Sequence, residues 1–273
     1  MVSRRQGPGL RNTASLGLQD RTLEILTVAP FIPSEGRHLH LHDLRVFHGT
    51  EAWIFDLDNT LYPAKSNLFA QIDVRIRDYV AKLLDIPMEE ANTVQKDYYQ
   101  RYGTTLRGLM EERDIQPDDF LDYVHDIDHS VLEPDPDLGR AIGLLPGKKF
   151  IFTNGSRGHA ERTVERLGIA GHFEDVLDIV ATDLEPKPRR TAYDIFLQKT
   201  GVSPARAAMF EDLSRNLAVP HALGMHTILV VPTGTREVFR EAWELEGDDA
   251  PHVEFVTDNL TGFVEKVAGA LKS

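Results

Sequence analysis

Five short apolar runs, each stopping abruptly at polar residues, limit most strongly what this chain can fold into. They are Ala52-Trp53-Ile54-Phe55, Lys149-Phe150-Ile151-Phe152, Val176-Leu177-Asp178-Ile179-Val180, Ala207-Ala208-Met209-Phe210 and Thr227-Ile228-Leu229-Val230-Val231. Consecutive apolar positions, without polar alternation, fit strands buried on both faces, as in a parallel sheet. Helical stretches at 157–167, 189–200 and 214–223 separate the later runs. Alternation of strand and helix at this spacing specifies a doubly wound α/β fold. His252-Val253-Glu254-Phe255-Val256 reads as a sixth strand at the edge.

One interval breaks the alternation. Over 90 residues separate Phe55 from Lys149, where one crossover needs about 30. The interval is helical in pattern. Leu68, Ile72, Ile76, Tyr79, Val80 and Leu83 share a face, and Pro87 ends the run. Val94, Tyr98, Tyr102, Leu106 and Leu109 predict a second helix, and Pro117 to about His125 a third. The expected organisation is therefore a helical insert over 64–136 within a core of 46–63 and 137–273. Residues 1–45 differ in charge, with six Lys/Arg against four Asp/Glu. Residues 1–19 carry three arginines and no acid, as a transit peptide would, but Gly7-Pro8-Gly9 interrupts the helix such a signal needs. A disordered or loosely attached extension is the expectation. Within it His38, His40, His42 and Asp43 alternate as metal ligands sometimes do, with no partner cluster nearby.

The net charge of −13 provides no basic field for a nucleic acid polymer or an anionic membrane. No apolar run approaches the roughly 18 residues of a membrane-spanning helix. The chain has no cysteine, so disulfides, thiolate metal sites and thiol nucleophiles are excluded, consistent with a reducing, cytoplasmic setting.

Ligands of open α/β sheets bind beyond the carboxyl ends of the strands. The polar residues at those ends are Asp56 and Asp58 after the first run, and Thr153, Asn154 and Gly155 after the second. Asp183 and Lys187 follow the third, and Glu211 and Asp212 the fourth. The set suits phosphoryl transfer. Asp56 can attack phosphorus in line to form an aspartyl-phosphate. Asp58 can protonate the leaving alkoxide and later activate water. Thr153 and the backbone N–H groups that follow it, beginning with Asn154, can hold phosphate oxygens, and Lys187 can neutralise the nucleophile and the transferring group. Carboxylates gathered in one crevice call for a divalent cation, and hard oxygen ligands favour Mg2+. The implied partner is a small phosphorylated metabolite.

In this order, Asp56-Leu57-Asp58-Asn59-Thr60, Thr153-Asn154-Gly155, Lys187 and Glu211-Asp212 resemble the four motifs of the haloacid dehalogenase-like (HAD) hydrolases. The resemblance runs from residue 50 to about 232. It implies a five-stranded Rossmann-like core with the helical insert as a cap. It also implies magnesium held by the Asp56 side chain, the Asp58 carbonyl and Asp212, with Glu211 a weaker ligand. Phe55-Asp56-Leu57-Asp58-Asn59-Thr60-Leu61-Tyr62-Pro63 and Glu211-Asp212-Leu213-Ser214-Arg215-Asn216-Leu217 look most like the pyrimidine 5′-nucleotidase branch, which implies a pyrimidine nucleoside 5′-monophosphate as substrate. Many relatives place an acid where Asn216 stands, which leaves Asn216 a role in orienting Lys187. Competing readings are a phosphoglycolate or sugar-phosphate phosphatase, a phosphomutase sharing the first two acids, and a phosphate-binding sensor or scaffold.

Some residues have two readings. His125, Asp126, Asp128 and His129 could hold a metal, but a polar contact where the cap rejoins the core is the expectation. Tyr98, Tyr99 and Tyr102 fit packing within the cap, or stacking on a nucleobase. Arg189 and Arg190 begin a helix and could reach substrate at the rim. Glu244 to Asp249 form a solvated helix end and loop.

Overall fold

In the computed structural model the first apolar run becomes β1 (Ala52–Phe55), buried along its whole length. It pairs in parallel with β2 (Lys148–Phe152) on one side and β4 (Ala207–Glu211) on the other. With β3 (Asp175–Leu177), β5 (His226–Val230) and β6 (Phe255–Thr257), the sheet runs β3-β2-β1-β4-β5-β6, all parallel. The expected edge strand is thus present as a sixth member. The structure describes residues 43–232 and 247–273. All but the last three residues of the 1–45 extension, with His38, His40 and His42, lie outside the described residues, as do Glu244, Leu245 and Glu246.

Side chains alternate across the sheet as the pleat requires. Trp53 and Phe55 pack with α5 (Pro136–Leu144), α6 (Arg157–Leu167) and α9 (Leu260–Ala270) on one face. Ala52 and Ile54 pack with α7 (Arg190–Thr200) and α8 (Ser214–Ala222) on the other. Phe55 and Phe210, register partners on β1 and β4, stack with centroids 4.6 Å apart. Local caps fix the helix ends. Asp135 accepts from Leu138 N at the head of α5, and α6 ends at Gly168 in the left-handed region.

β3 is shorter than its apolar run. Asp178 accepts from Arg157 N and Ala181 N, both at 2.8 Å, and this turns the chain away from the sheet. Ile179 then joins the apolar cluster of the cap instead of the sheet.

Before α5, the long interval holds four α-helices, α1 (Leu68–Leu84), α2 (Met88–Tyr102), α3 (Thr105–Arg113) and α4 (Pro117–Val124). They enclose a cluster of their own, with Ile72, Val80, Tyr98, Leu109 and Phe120 at its centre. The expected second helix is two. The chain breaks at Gly103, whose φ of +91° favours glycine. A Cβ at Gly103 would stand 3.1 Å from the Lys187 carbonyl and 3.3 Å from Pro186, so the break lets the cap settle on the Lys187 loop. Periodicity could not reveal it because Tyr98, Leu106 and Leu109 stay buried on both sides of the break. Among the described residues no helix is long and apolar enough to cross a membrane.

Candidate active site

The order of the strands brings the motifs together. β1 lies between β2 and β4, so strand order reverses on either side of it and opens a crevice at its carboxyl end. Asp56 follows Phe55, whose register partners are Ile151 and Phe210. Thr153 and Glu211 therefore emerge on either side of Asp56. Asp56, Asp58, Thr153, Asn154, Lys187, Glu211, Asp212 and Asn216 all line one cleft. Asp183, the other acid expected after the third run, is exposed and does not join them.

Lys187 is 1% exposed, and its ammonium uses all three hydrogens: Nζ donates to Asp56 Oδ1 at 2.7 Å, Phe152 O at 2.7 Å and Glu211 Oε1 at 2.9 Å. Burial alone would draw its pKa down. The carboxylates of Asp56 and Glu211 outweigh that and hold it above the ordinary lysine value, so the ion stays charged. Glu211 is committed on both oxygens. Oε1 accepts from Lys187 and from Asn216 Nδ2 (2.6 Å), and Oε2 from Leu213 N (2.7 Å). Asn216 thus reaches Lys187 through Glu211. Asn154 braces the same lysine from its backbone, with Nδ2 donating to Lys187 O at 3.1 Å and Oδ1 accepting from Lys187 N at 2.9 Å. What Asn154 can offer a phosphate is its main-chain N–H. Thr153 is buried, and its Oγ1 accepts from Gly155 N at 2.9 Å, which leaves the hydroxyl hydrogen to donate.

Burial pushes the Asp56 carboxyl up to about 7, against the pull of Lys187 and with the help of Glu211 and Asp58. The crevice holds more negative charge than one lysine neutralises. Asp56, Glu211 and Asp212 place ligand oxygens within 4.8 Å of one another, and Asn216 Oδ1 is buried with no hydrogen-bond partner. A hard cation fits this oxygen donor set. With Glu211 engaged internally, Asp56 and Asp212 are the stronger candidates to hold it.

Asp58 has partners that no sequence motif announced. Its Oδ1 accepts from Tyr62 Oη at 2.5 Å and from His159 Nε2 at 2.9 Å. Burial would raise this carboxyl, but the His159 ring and the Tyr62 hydroxyl hold it below the ordinary carboxylate range. Tyr62 could have been suspected, since it falls four residues past Asp58. His159 could not, because it stands 101 residues away with no local pattern. His125 and His129, where the cap rejoins the core, face His159: the His125 ring stacks on it at 4.8 Å, and His129 Nε2 lies 3.1 Å from His159 Nδ1. Both make the polar cap–core contact, while Asp126 pairs with Arg75 and Asp128 caps Ser130 N.

Helices of the insert line the other side of the cleft, with an apolar wall that includes Phe69, Ile72, Leu106 and Phe120. Asp73, buried among them, is held by Gln95 Nε2 (2.8 Å), Arg77 (2.7 Å) and Lys96 (3.2 Å). The tyrosines divide. Tyr98 and Tyr102 bond Glu112 within the cap, whereas Tyr99 lines the cleft under the Arg215 guanidinium, 4.5 Å from its ring. Arg189 spans the seam between Glu185 and Glu111, and Arg190 pairs with Asp194 at the surface.

A family model described as haloacid dehalogenase-like hydrolase matches residues 50–224. Phosphate metabolism protein 8 of Saccharomyces cerevisiae is 27% identical over 197 residues, which are 66% of this chain and 61% of that protein. The chain thus spans less than two thirds of that curated relative. Among solved structures, an L-2-haloacid dehalogenase from Xanthobacter autotrophicus is 18% identical, with a TM-score of 0.52 over 81% of this chain and 99% of its own. A HAD phosphatase from Thermococcus onnurineus is 16% identical, with a TM-score of 0.53 over 82% and 100%. YfnB from Bacillus subtilis, solved bound to magnesium, is 13% identical, with a TM-score of 0.50 over 80% and 98%. At these identities the likeness to solved structures concerns the fold.

Proposed function

The chain belongs to the haloacid dehalogenase-like hydrolases, and within them we propose that it is a magnesium-dependent phosphomonoester hydrolase working through an aspartyl-phosphate on Asp56. Its structural relatives include both a dehalogenase and a phosphatase, so the fold leaves the reaction open. The observation that carries the reading is Asp58, a carboxyl oriented by two hydrogen bonds in the cleft that Asp56 lines. Halide leaves carbon as a stable anion and needs no proton, whereas an alkoxide leaving phosphorus does. The yeast relative's name, a phosphate metabolism protein, agrees with this chemistry.

In this mechanism a carboxylate oxygen of Asp56 attacks phosphorus in line while the P–O bond to the leaving group breaks. Lys187, bonded to Asp56, holds positive charge beside the nucleophile. The Thr153 hydroxyl and the N–H of Asn154 bind phosphoryl oxygens. A bound phosphate dianion raises the Asp58 carboxyl from its depressed value, so that it carries the proton it passes to the departing oxygen. Asp58 then takes a proton from the water that attacks the aspartyl-phosphate, and inorganic phosphate leaves. Asp56, Asp212 and the Asp58 carbonyl are the groups that would hold magnesium, whose charge offsets the anionic oxygens at the reacting phosphorus. Glu211 serves chiefly to orient Lys187.

The division of labour we propose assigns chemistry to residues 46–63 and 137–273 and substrate choice to the cap, 64–136. The leading substrate is a pyrimidine nucleoside 5′-monophosphate. Two observations favour it: the wording of the first and last motifs, and a cleft whose walls include Phe69, Ile72, Tyr99, Leu106 and Phe120. Those apolar and aromatic side chains suit the planar base of a nucleotide better than a sugar phosphate that has no base. Without cysteine, the chain is suited to the cytoplasm. Phosphate release with magnesium from pyrimidine and purine nucleotides, sugar phosphates and phosphoglycolate tests the reading. Release from pyrimidine nucleotides should dominate. Equal rates on all would remove the pyrimidine assignment, and no release from any would remove the phosphatase.

A further inference from the structure

The two oxygens of Asp58 are not equivalent. Oδ1 accepts from both Tyr62 Oη (2.5 Å) and His159 Nε2 (2.9 Å). A carboxylate can only accept, so the hydrogens in both bonds belong to the tyrosine and the imidazole. Oδ2 has no hydrogen-bond partner among the described residues. One side of the carboxyl is clamped and the other is open to the cleft, which Asp58 lines.

The clamp is itself held. His159 is wholly buried on the first turn of α6, and His125 stacks against it with ring planes 14° apart. His129 Nε2 meets its Nδ1 at 3.1 Å, so both ring nitrogens of His159 have partners. His125 in turn bonds Leu121 O (2.9 Å) and Ser156 Oγ (3.0 Å) through Nδ1. Gly155 makes room for His159. A Cβ there would stand 3.3 Å from His159 Cδ2, tight enough to press on that ring, and in ordinary contact, 3.5 Å, with His125 Nε2. Tyr62 is 1% exposed, which fixes its hydroxyl from the other side.

We propose that His159 and Tyr62 are positioning residues for Asp58, clamping Oδ1 so that Oδ2 alone transfers the proton, with His125 and His129 tying this clamp to the segment where the cap rejoins the core. In the first half-reaction the Oδ2–H proton goes to the leaving-group oxygen as its bond to phosphorus breaks and the Asp56–phosphorus bond forms. In the second, Oδ2 accepts a proton from water as the water oxygen bonds phosphorus and Asp56 is released. Protons balance over the cycle, and neither His159 nor Tyr62 touches the substrate.

This inference rests on the phosphatase reading, and leaving-group dependence separates the two. The test compares kcat/KM for an alkyl phosphomonoester, whose alkoxide needs a proton, with that for 4-nitrophenyl phosphate, whose phenolate does not. Because kcat/KM reports steps up to departure of the leaving group, it isolates the donor role of Asp58. Tyr62→Phe and His159→Leu should each lose about 10- to 100-fold on the alkyl substrate, while 4-nitrophenyl phosphate stays within about 3-fold. His159→Gln, which keeps an N–H donor, should recover part of the loss. Tyr62→Phe removes a single hydroxyl and decides the matter if His159→Leu fails to fold. A parallel fall on both substrates, or no fall on either, would overturn the positioning role while the wild-type enzyme remains a phosphatase. A wild type that cleaves neither substrate would instead remove the phosphatase reading beneath it.

Discussion

The core side and the insert side of the one cleft are built on different principles. In the crevice every charge is fixed by another group. Lys187 spends three hydrogens on three acceptors, Glu211 both oxygens, and Asn154 both ends of its amide. In the cap the walls are mainly apolar, and its cluster could be filled by many combinations of side chains of similar volume. Reaction chemistry requires particular atoms at particular distances, whereas enclosure requires only shape. The two regions meet at several places, among them Gly103 on the Lys187 loop, the histidines on His159, Ile179 in the apolar cluster of the insert, and an ion-paired rim in which Arg107 bonds Glu185 at 3.1 Å.

This contrast can be broken at either end. The largest effect belongs to the core. Asp56→Asn should lower turnover by about 10⁴-fold or more while leaving the circular dichroism spectrum and melting temperature near wild type. Substantial turnover in that variant would end the proposed mechanism. Removal of divalent metal by chelation should likewise stop phosphate release, and magnesium should restore it. Undiminished activity in protein verified as metal-free would detach the ion from the reaction.

Smaller effects are expected where cap meets core. Gly103→Ala places a side chain at a φ of +91° against the Lys187 carbonyl, and should cost about 1–3 kcal/mol of stability together with a loss of turnover. Wild-type values in both chemical denaturation and steady-state kinetics would mean that the cap does not need this close approach. Inside the cap, Phe69→Ala should change the ratio of kcat/KM between two nucleotides by about 10-fold, with little change in the chemistry on 4-nitrophenyl phosphate. An unchanged ratio would move substrate choice away from this wall.

The smallest effect concerns the contact between α2 and α3. Hydrogen bonds from the Tyr102 and Tyr98 hydroxyls, with Arg101 alongside, hold the Glu112 carboxyl down at about 2 despite some desolvation. A carboxyl depressed in the folded state adds stability above its unfolded pKa, near 4.5, and loses it as pH falls toward 2. Glu112→Gln should therefore melt slightly below wild type at neutral pH and converge with it in acid. A gap that persists at pH 2, with the protein still folded, would show that charge is not the source. Because Glu112 lies at the surface, solvent screening keeps this effect small.

Much of the core was legible because its local signals coincide with its chemistry. The run Ala52 to Phe55 announces a central strand, and the polar residue after it must lie at the strand's carboxyl end. The same logic found Thr153 and Glu211. It failed for Asp183, which also follows an apolar run, because the sheet ends at Leu177 and the chain turns at Asp178. The cap helices were visible by periodicity, but the break at Gly103 was not, since its cause is a carbonyl 84 positions further along the chain. Tyr98, Tyr99 and Tyr102 looked alike in sequence, yet only Tyr99 lines the cleft.

The α/β alternation, the long helical insert, the family motifs and the acids that end the strands can be read along the chain, because each follows from neighbouring residues. Which groups restrain those acids is set by the folding of distant segments against one another. Lys187 reaches Asp56 across 131 positions and His159 reaches Asp58 across 101. Those distances close only when parallel strands are laid side by side, and one-dimensional spacing has no means of stating where a crossover will return.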